Sequence, residues 1–298
     1  MAGPFAVVRT WGEMIKFSHS VYALPFALVA TVLAGRQRVP AGPTAAQLLL
    51  ILGSMVTARS FAMTFNRIAD LAHDRRNPRT QGRPLVIGAI TLRQAWLFAA
   101  AAAILFVAAC GGFWLIDGNA WPLLLSGPVL GYLAAYSYAK RFTRYAHFFL
   151  GAAIASAPVA AWIAIHPASL GVAGLLLMLA GATWIAGFDI IYACQDVDVD
   201  RRDGLHSLPA RIGIGPALWV SRGCHVVTVA ALLLLWLVES LGGVYLAGVG
   251  IVTMLLALEQ SVVRADDLSR VNLAFFSING VVGLVFGAAT IADVLLRA

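Results

Sequence analysis

The amino-acid sequence predicts an all-α fold, a multi-pass transmembrane bundle of about nine helices. Composition is the first reason: 60% of the 298 residues are hydrophobic and 12% charged, with a mean hydropathy of +0.84, against roughly 45–50% and about 25% in a soluble domain. The second is a succession of apolar stretches near the roughly 20 residues that cross a bilayer core. The third is the distribution of cations. With the N-terminus inside, 17 of the 21 Lys and Arg fall on the cytoplasmic side, three outside (Arg36, Arg38, Arg297) and one, Arg59, within a helix. Cytoplasmic loops retain Lys and Arg, so this asymmetry supports an odd number of spans.

In chain order the spans are read at 18–35, 44–65, 92–115, 120–138, 146–165, 168–193, 214–237, 240–258 and 271–295. Turn formers separate the first from the second (Arg38-Val-Pro-Ala-Gly-Pro43), the third from the fourth (Asp117-Gly-Asn119) and the fifth from the sixth (His166-Pro-Ala-Ser169), as tight connections require. Basic or acidic segments separate the second from the third (66–93), the fourth from the fifth (Lys140, Arg141, Arg144), the sixth from the seventh (196–213) and the eighth from the ninth (Arg264, Arg270). Residues 1–298 read as one domain with no linker or low-complexity tract. The start, MAGPFAVVRTWGEMIK, lacks the apolar core and cleavage site of a signal peptide, so the first span is expected to be retained. Cys110, Cys194 and Cys224 lie apart in or near apolar spans and read as buried, inert thiols. The net charge of +7 follows from topology rather than from a basic face, so nucleic acid is not an expected partner.

Carboxylates are scarce, 14 in all, and seven of them lie in two places, Asn66-Arg-Ile-Ala-Asp70-Leu-Ala-His-Asp74 and Asp189 to Asp203. Ionisable groups at membrane helix ends are costly unless paired or wetted, which makes such clusters functional candidates. Residues four apart share a helix face with about 40° of drift. Asn66, Asp70 and Asp74 therefore form one polar stripe on the second span, and Asp189, Tyr192, Asp196, Asp200 and Asp203 recur at intervals of seven, four or three on the sixth. Each segment precedes a basic, Pro-containing loop, a recurrence that hints at a weak internal repeat. Oxygen-only donors suit Mg²⁺, which keeps waters and binds one or two carboxylates plus substrate phosphates; two such edges can hold two ions on a diphosphate. Taken singly, either segment also reads as a solvated helix end. His73 and Asp198 lie off the stripes and are expected to be bystanders.

These motifs resemble those of the UbiA-type intramembrane aromatic prenyltransferases. N-x-x-x-D-x-x-x-D is matched by Asn66, Asp70 and Asp74 and followed by Asn77-Pro-Arg79-Thr80 and Arg83-Pro84-Leu85; D-x-x-x-D is matched by Asp196 and Asp200, with Asp189 and Tyr192 before it and Gly204 to Gly213 after it. The resemblance covers nearly the whole chain and is closest to the 4-hydroxybenzoate polyprenyltransferase branch. It implies Mg²⁺ held by Asn66, Asp70, Asp74, Asp196 and Asp200, with a polyprenyl diphosphate as donor, an aromatic acid as acceptor and no obligate protein partner. It places the enzyme in the inner (cytoplasmic) membrane, with the site facing the cytoplasm, in quinone biosynthesis. A dihydroxynaphthoate acceptor on a menaquinone route is the alternative.

Around the carboxylates, Lys140 and Arg141 are candidates for diphosphate oxygens or are positive-inside anchors, and Arg79 and Arg83 are further phosphate candidates. Arg59 lies seven residues before Asn66 on the same face; its planar fork suits the carboxylate of an aromatic acid or one of the aspartates. By resemblance Lys16 and His19 line the acceptor side, or else anchor the first span at the interface. Asn272 and Asn279, seven apart, are expected to share a face, lining the cavity or pairing helices. A CDP-alcohol phosphotransferase fits less well, because Ala58-Arg59 lacks the preceding Asp-Gly and Asn66 replaces a required Gly. A secondary transporter would carry its ionisable groups near the bilayer midplane, whereas these lie at helix ends.

Overall fold

The computed structural model describes residues 4–15, 23–38 and 42–297. The helices are α1 (Pro4–Ile15), α2 (Leu24–Gly35), α3 (Ala45–Ala69), α4 (Leu71–Asp74), α5 (Leu92–Asp117), α6 (Trp121–Ala135), α7 (Ala146–Ile165), α8 (Val172–Ala193), α9 (Val197–Arg202), α10 (Leu208–Ile212), α11 (Ile214–Val238), α12 (Gly243–Val262) and α13 (Asn279–Leu296). Short 3₁₀ turns cover Tyr136–Arg141, Pro167–Ser169 and Cys194–Asp196, and Leu273–Ile278 is a π-helical turn. Among the described residues there is no β-strand, only an isolated bridge between Arg264 and Asp267.

Each of the nine expected spans corresponds to a helix. Among the described residues seven are long and apolar enough to cross a bilayer, and the protein is a multi-pass integral membrane protein. The exterior agrees: Leu115, Leu296 and Ile104 are 82%, 76% and 69% exposed, which suits a hydrocarbon solvent. The other two spans are the first, whose α2 has 12 residues, and the fourth. Its α-helix has 15 residues, about 22 Å at 1.5 Å per residue. The six residues of the following 3₁₀ turn, with about 2 Å of rise each, extend that length.

The helix ends follow the local sequence. Thr91 and Gln94 form a reciprocal capping box at the start of α5, satisfying two N–H groups that the first turn leaves over. Gly118 ends α5 at φ 67°, a left-handed conformation that suits glycine, within the turn expected at 117–119. The N-terminus of α12 is capped from another helix: the buried Asp293 carboxylate accepts from Gly242 N–H at 2.6 Å and Tyr245 N–H at 3.2 Å.

The chain divides into two compact units. One comprises α1, α3 from Leu49 onward, α4, α5 and α6. Its core joins Met14 and Ile15 of α1 to Leu85, Ile90 and Ala95, and Trp11 stacks on Phe98 with ring centroids 4.4 Å apart. α1 carries its polar pair outward, Arg9 to Glu13 at 2.9 Å. The helix has only 12 residues, too few to cross a bilayer.

The other unit comprises α2 and everything from Ala139 onward. Its helices approach closely where small residues meet, as membrane bundles do. A Cβ at Gly151 would collide with the Ala182 carbonyl, and one at Gly187 would lie 2.5 Å from the His225 ring. Two readings of this unit change. The eighth span does not stop at 258: α12 runs to Val262 and buries Glu259 completely. Asn272 and Asn279 do not share a face either, because the intervening π-helical turn adds a residue to the register; Asn272 is exposed and Asn279 buried.

Candidate active site

The first acidic segment begins where α3 ends. Asp70 leaves helical geometry, at φ −92° and ψ 1°, yet its N–H still bonds the Asn66 carbonyl at 2.9 Å and the Asp74 N–H bonds the Asp70 carbonyl at 2.8 Å. This i to i+4 continuity keeps Asn66, Asp70 and Asp74 in line, as their spacing predicted. Asn66 Nδ2 lies 3.4 Å from Asp70 Oδ2. Asp70 and Asp74 are buried, and so is Arg67, whose Nη1 reaches Asn66 Oδ1 at 3.4 Å.

The following loop turns back on the motif. Thr80, also buried, donates its hydroxyl to the Asp74 carbonyl at 2.9 Å, and Asn77 Oδ1 accepts from Arg79 N–H at 2.9 Å. The chain thereby returns Arg83 to Asp74, with Nη1 2.6 Å from both carboxylate oxygens. Arg83 thus has an intramolecular partner that its sequence position alone did not name. Arg79 is exposed, Arg59 is half-buried in α3, and His73 pairs with Arg76 at 2.9 Å. Helical spacing does not single out Arg67. Its adjacency to Asn66, one residue off the stripe, was the available signal.

In the second segment the Cys194–Asp196 3₁₀ turn separates α8 from α9. Asp196 and Lys140 lie close enough to act on Asp200 electrostatically. Backbone bonds hold this arrangement: Leu205 N–H donates to the Asp200 carbonyl at 2.8 Å and His206 N–H to the Lys140 carbonyl at 2.7 Å. Arg201 Nε donates to the Ala210 carbonyl at 3.0 Å. Lys140 is half-buried and Arg141 exposed; Asp198 is exposed. Asp203 meets Arg202 Nε at 3.2 Å.

Asp189 has a partner that sequence reading missed. His147 of α7 is buried, with Nδ1 2.7 Å from Asp189 Oδ2 and Nε2 accepting the Leu208 N–H at 3.2 Å. A ring nitrogen that accepts carries no proton, so Nδ1 bears the hydrogen and donates it to the carboxylate. His147 thereby ties α7, α8 and the start of α10 together. A histidine 42 residues away gives no periodic signal. Tyr192, half-buried, lies one turn before Asp196. Lys16 and His19 lie outside the described residues.

Among the described residues no three His, Cys, Asp or Glu side chains converge as a closed metal site. The donors on each segment are oxygens, Asn66, Asp70 and Asp74 on one and Asp196 and Asp200 on the other. That chemistry suits a hard cation that keeps waters and takes further ligands from a phosphate. It does not suit a structural zinc site, which needs four N or S ligands.

The UbiA prenyltransferase family model matches residues 23–281. The 4-hydroxybenzoate octaprenyltransferase of Nitrosospira multiformis is 29% identical over 253 residues, 84% of this chain and 83% of that protein. That of Xanthomonas oryzae pv. oryzae is 32% identical over 236 residues, 78% and 76% of the two. Among solved structures, the apo UbiA homolog from Aeropyrum pernix K1 superposes with a TM-score of 0.81 at 33% identity, covering 92% of this chain and 98% of that one. A UbiA homolog from Archaeoglobus fulgidus bound to GPP and Mg²⁺ has a TM-score of 0.69 at 19% identity over 96% and 99% of the two chains, a likeness of fold.

Proposed function

The chain belongs to the UbiA prenyltransferase family, and from that premise we propose that it transfers a polyprenyl group from polyprenyl diphosphate to the ring of an aromatic acid, 4-hydroxybenzoate, in quinone biosynthesis. The observation that carries this reading is the pair of oxygen-donor edges, Asn66-Asp70-Asp74 and Asp196-Asp200, each with a cation beside it: Arg83 2.6 Å from Asp74 and Lys140 acting on Asp200. The curated relatives carrying the 4-hydroxybenzoate octaprenyltransferase name support the choice of acceptor.

In this proposal Asn66, Asp70, Asp74, Asp196 and Asp200 hold Mg²⁺. The metal supplies Lewis-acid stabilisation of the departing diphosphate, whose charge develops in the transition state. The chain's residues do the rest. Lys140, Arg141 and Arg79 bind diphosphate oxygens, and Arg83 balances Asp74 and shares in that field. Arg59 pairs the carboxylate of the aromatic acid, and Tyr192 and Asp189 line the reacting end, Asp189 oriented by His147 Nδ1–H. Lys16 and His19 belong to the acceptor side. Loss of diphosphate leaves an allylic cation that the electron-rich ring attacks; the ring then gives up a proton and recovers its aromaticity. Residues 1–298 act as one prenyltransferase domain in the inner membrane, with the site open to the cytoplasm.

The test is a product assay on purified protein in detergent or lipid with geranyl diphosphate, Mg²⁺ and either 4-hydroxybenzoate or a dihydroxynaphthoate, beside an EDTA control. Prenylated 4-hydroxybenzoate that disappears with EDTA is the expected result. A naphthoate product alone would move the enzyme to a menaquinone route, and product undiminished by EDTA would refute the metal assignment.

A further inference from the structure

Glu259 is the one carboxylate buried to 0% exposure among the described residues, and the acidic motifs do not use it. In a membrane-spanning helix such a group is expensive and marks a role. Its Oε1 accepts from Asn279 Nδ2 at 2.7 Å. Asn279 is itself fully buried, and all its hydrogen-bonding groups are used: Oδ1 accepts from Trp184 Nε1 at 2.6 Å, and Nδ2 also donates to the Ala274 carbonyl at 2.9 Å. Indole N–H is a donor only, so the amide is held in this orientation, with both its hydrogens directed to Glu259 and Ala274. Ala274 sits inside the π-helical turn Leu273–Ile278, where an added residue needs an outside partner to keep its backbone satisfied.

The turn aims two rings at α8. Phe275 packs on Tyr192 with centroids 4.2 Å apart and a 31° interplanar angle, and on Phe188 at 5.2 Å edge-on. Phe276 meets Tyr192 at 6.1 Å. Trp184, Phe188 and Tyr192 recur every four residues on α8, so the network is anchored at one end of an aromatic stripe and braced by Phe275 at the other, one turn from Asp196. From these contacts we infer that Glu259 is a positioning residue: through Asn279 it stabilises the π-helical turn, whose Phe275 fixes the Tyr192 ring beside the second acidic motif. The inference rests on the assignment of Tyr192 to the reacting end in the proposed function.

A double-mutant cycle tests it. Glu259→Leu is expected to lower kcat/KM for the prenyl diphosphate about tenfold, whereas Glu259→Gln, which keeps an oxygen acceptor for Asn279, stays within about threefold of wild type. Combined with Tyr192→Ala, Glu259→Leu should add no further loss, because both act through one ring. Fully additive losses would overturn the inference, as would a Glu259→Gln variant as impaired as Glu259→Leu. Should Glu259→Leu fail to fold, Phe275→Leu, which removes only the brace, replaces it in the cycle with the same expectation. Hydrogen exchange of the purified protein without substrate gives an independent arm: Glu259→Leu, or Phe275→Leu in its place, should accelerate exchange in 188–196, and Glu259→Gln should not. Unchanged exchange there overturns the inference. That arm decides it even if neither aromatic acid is prenylated, an outcome that would count against the proposed function alone.

Discussion

The two acidic segments are built on different principles. In the first, the buried Asp74 carboxylate meets the half-buried Arg83 directly, at 2.6 Å, and the buried Arg67 lies against the Asn66 amide oxygen. In the second, Asp196 and Asp200 stand close enough to repel, with Lys140 nearby, and their order comes from hydrogen bonds to backbone and from the His147 tie between Asp189 and Leu208. The first segment is thus charge-compensated by its own loop. The second concentrates negative charge and relies on surrounding elements to keep its shape, and so gains the more from a bound cation.

Substitutions can break or sharpen that contrast. The largest effect should come from Asp70→Ala and Asp196→Ala, each removing a proposed metal ligand: a loss of roughly 10³-fold in turnover, about 4 kcal/mol of charge stabilisation, with folded yield retained. Near-normal activity in either variant would discard the two-segment metal assignment. Arg83→Ala leaves the Asp74 carboxylate, whose side chain is 8% exposed, without its ion pair. A charge-assisted hydrogen bond is worth about 1.5–3 kcal/mol, so activity should fall about 10- to 100-fold, with thermal stability declining alongside. Equal loss in Arg83→Lys would show that the guanidinium geometry matters as well as the charge.

For the second segment, His147→Ala, which removes the N–H that holds the Asp189 carboxylate, should cost about tenfold, and His147→Asn, whose amide can offer an N–H to Asp189, should recover part of that loss. No difference between the two would deny His147 an orienting role. The smallest effects should come from Asp198→Asn and Asn272→Ala, both exposed positions, at under about 0.5 kcal/mol in stability or activity. A clear loss at Asp198 would mean that the acidic edge is wider than its helical spacing suggests.

Most of the architecture was legible because a bilayer imposes a length on apolar segments, and each of the nine stretches read from the sequence meets a helix among the described residues, seven of them of spanning length. The acidic stripes were legible for the same kind of reason, since four-residue spacing survives the break at Asp70 through the bonds from Asp70 to Asn66 and from Asp74 to Asp70. Partners distant in sequence left no such trace. His147 and Asp189 are 42 residues apart, and Glu259 meets Asn279 only because a π-helical turn resets the register between Asn272 and Asn279. A helical repeat read from sequence assumes about 100° per residue, and one inserted residue is enough to separate two asparagines that the repeat had placed together.

Metal-dependent donor binding tests the central claim most directly. Isothermal titration of a non-hydrolysable geranyl diphosphate analogue would be run on the wild-type protein, Asp70→Ala and Asp196→Ala, each with Mg²⁺ and with EDTA. If both segments hold the diphosphate through the metal, the wild type binds only with Mg²⁺ and each variant loses at least about tenfold in affinity. Binding that persists in EDTA, or that is untouched in either variant, would contradict the account.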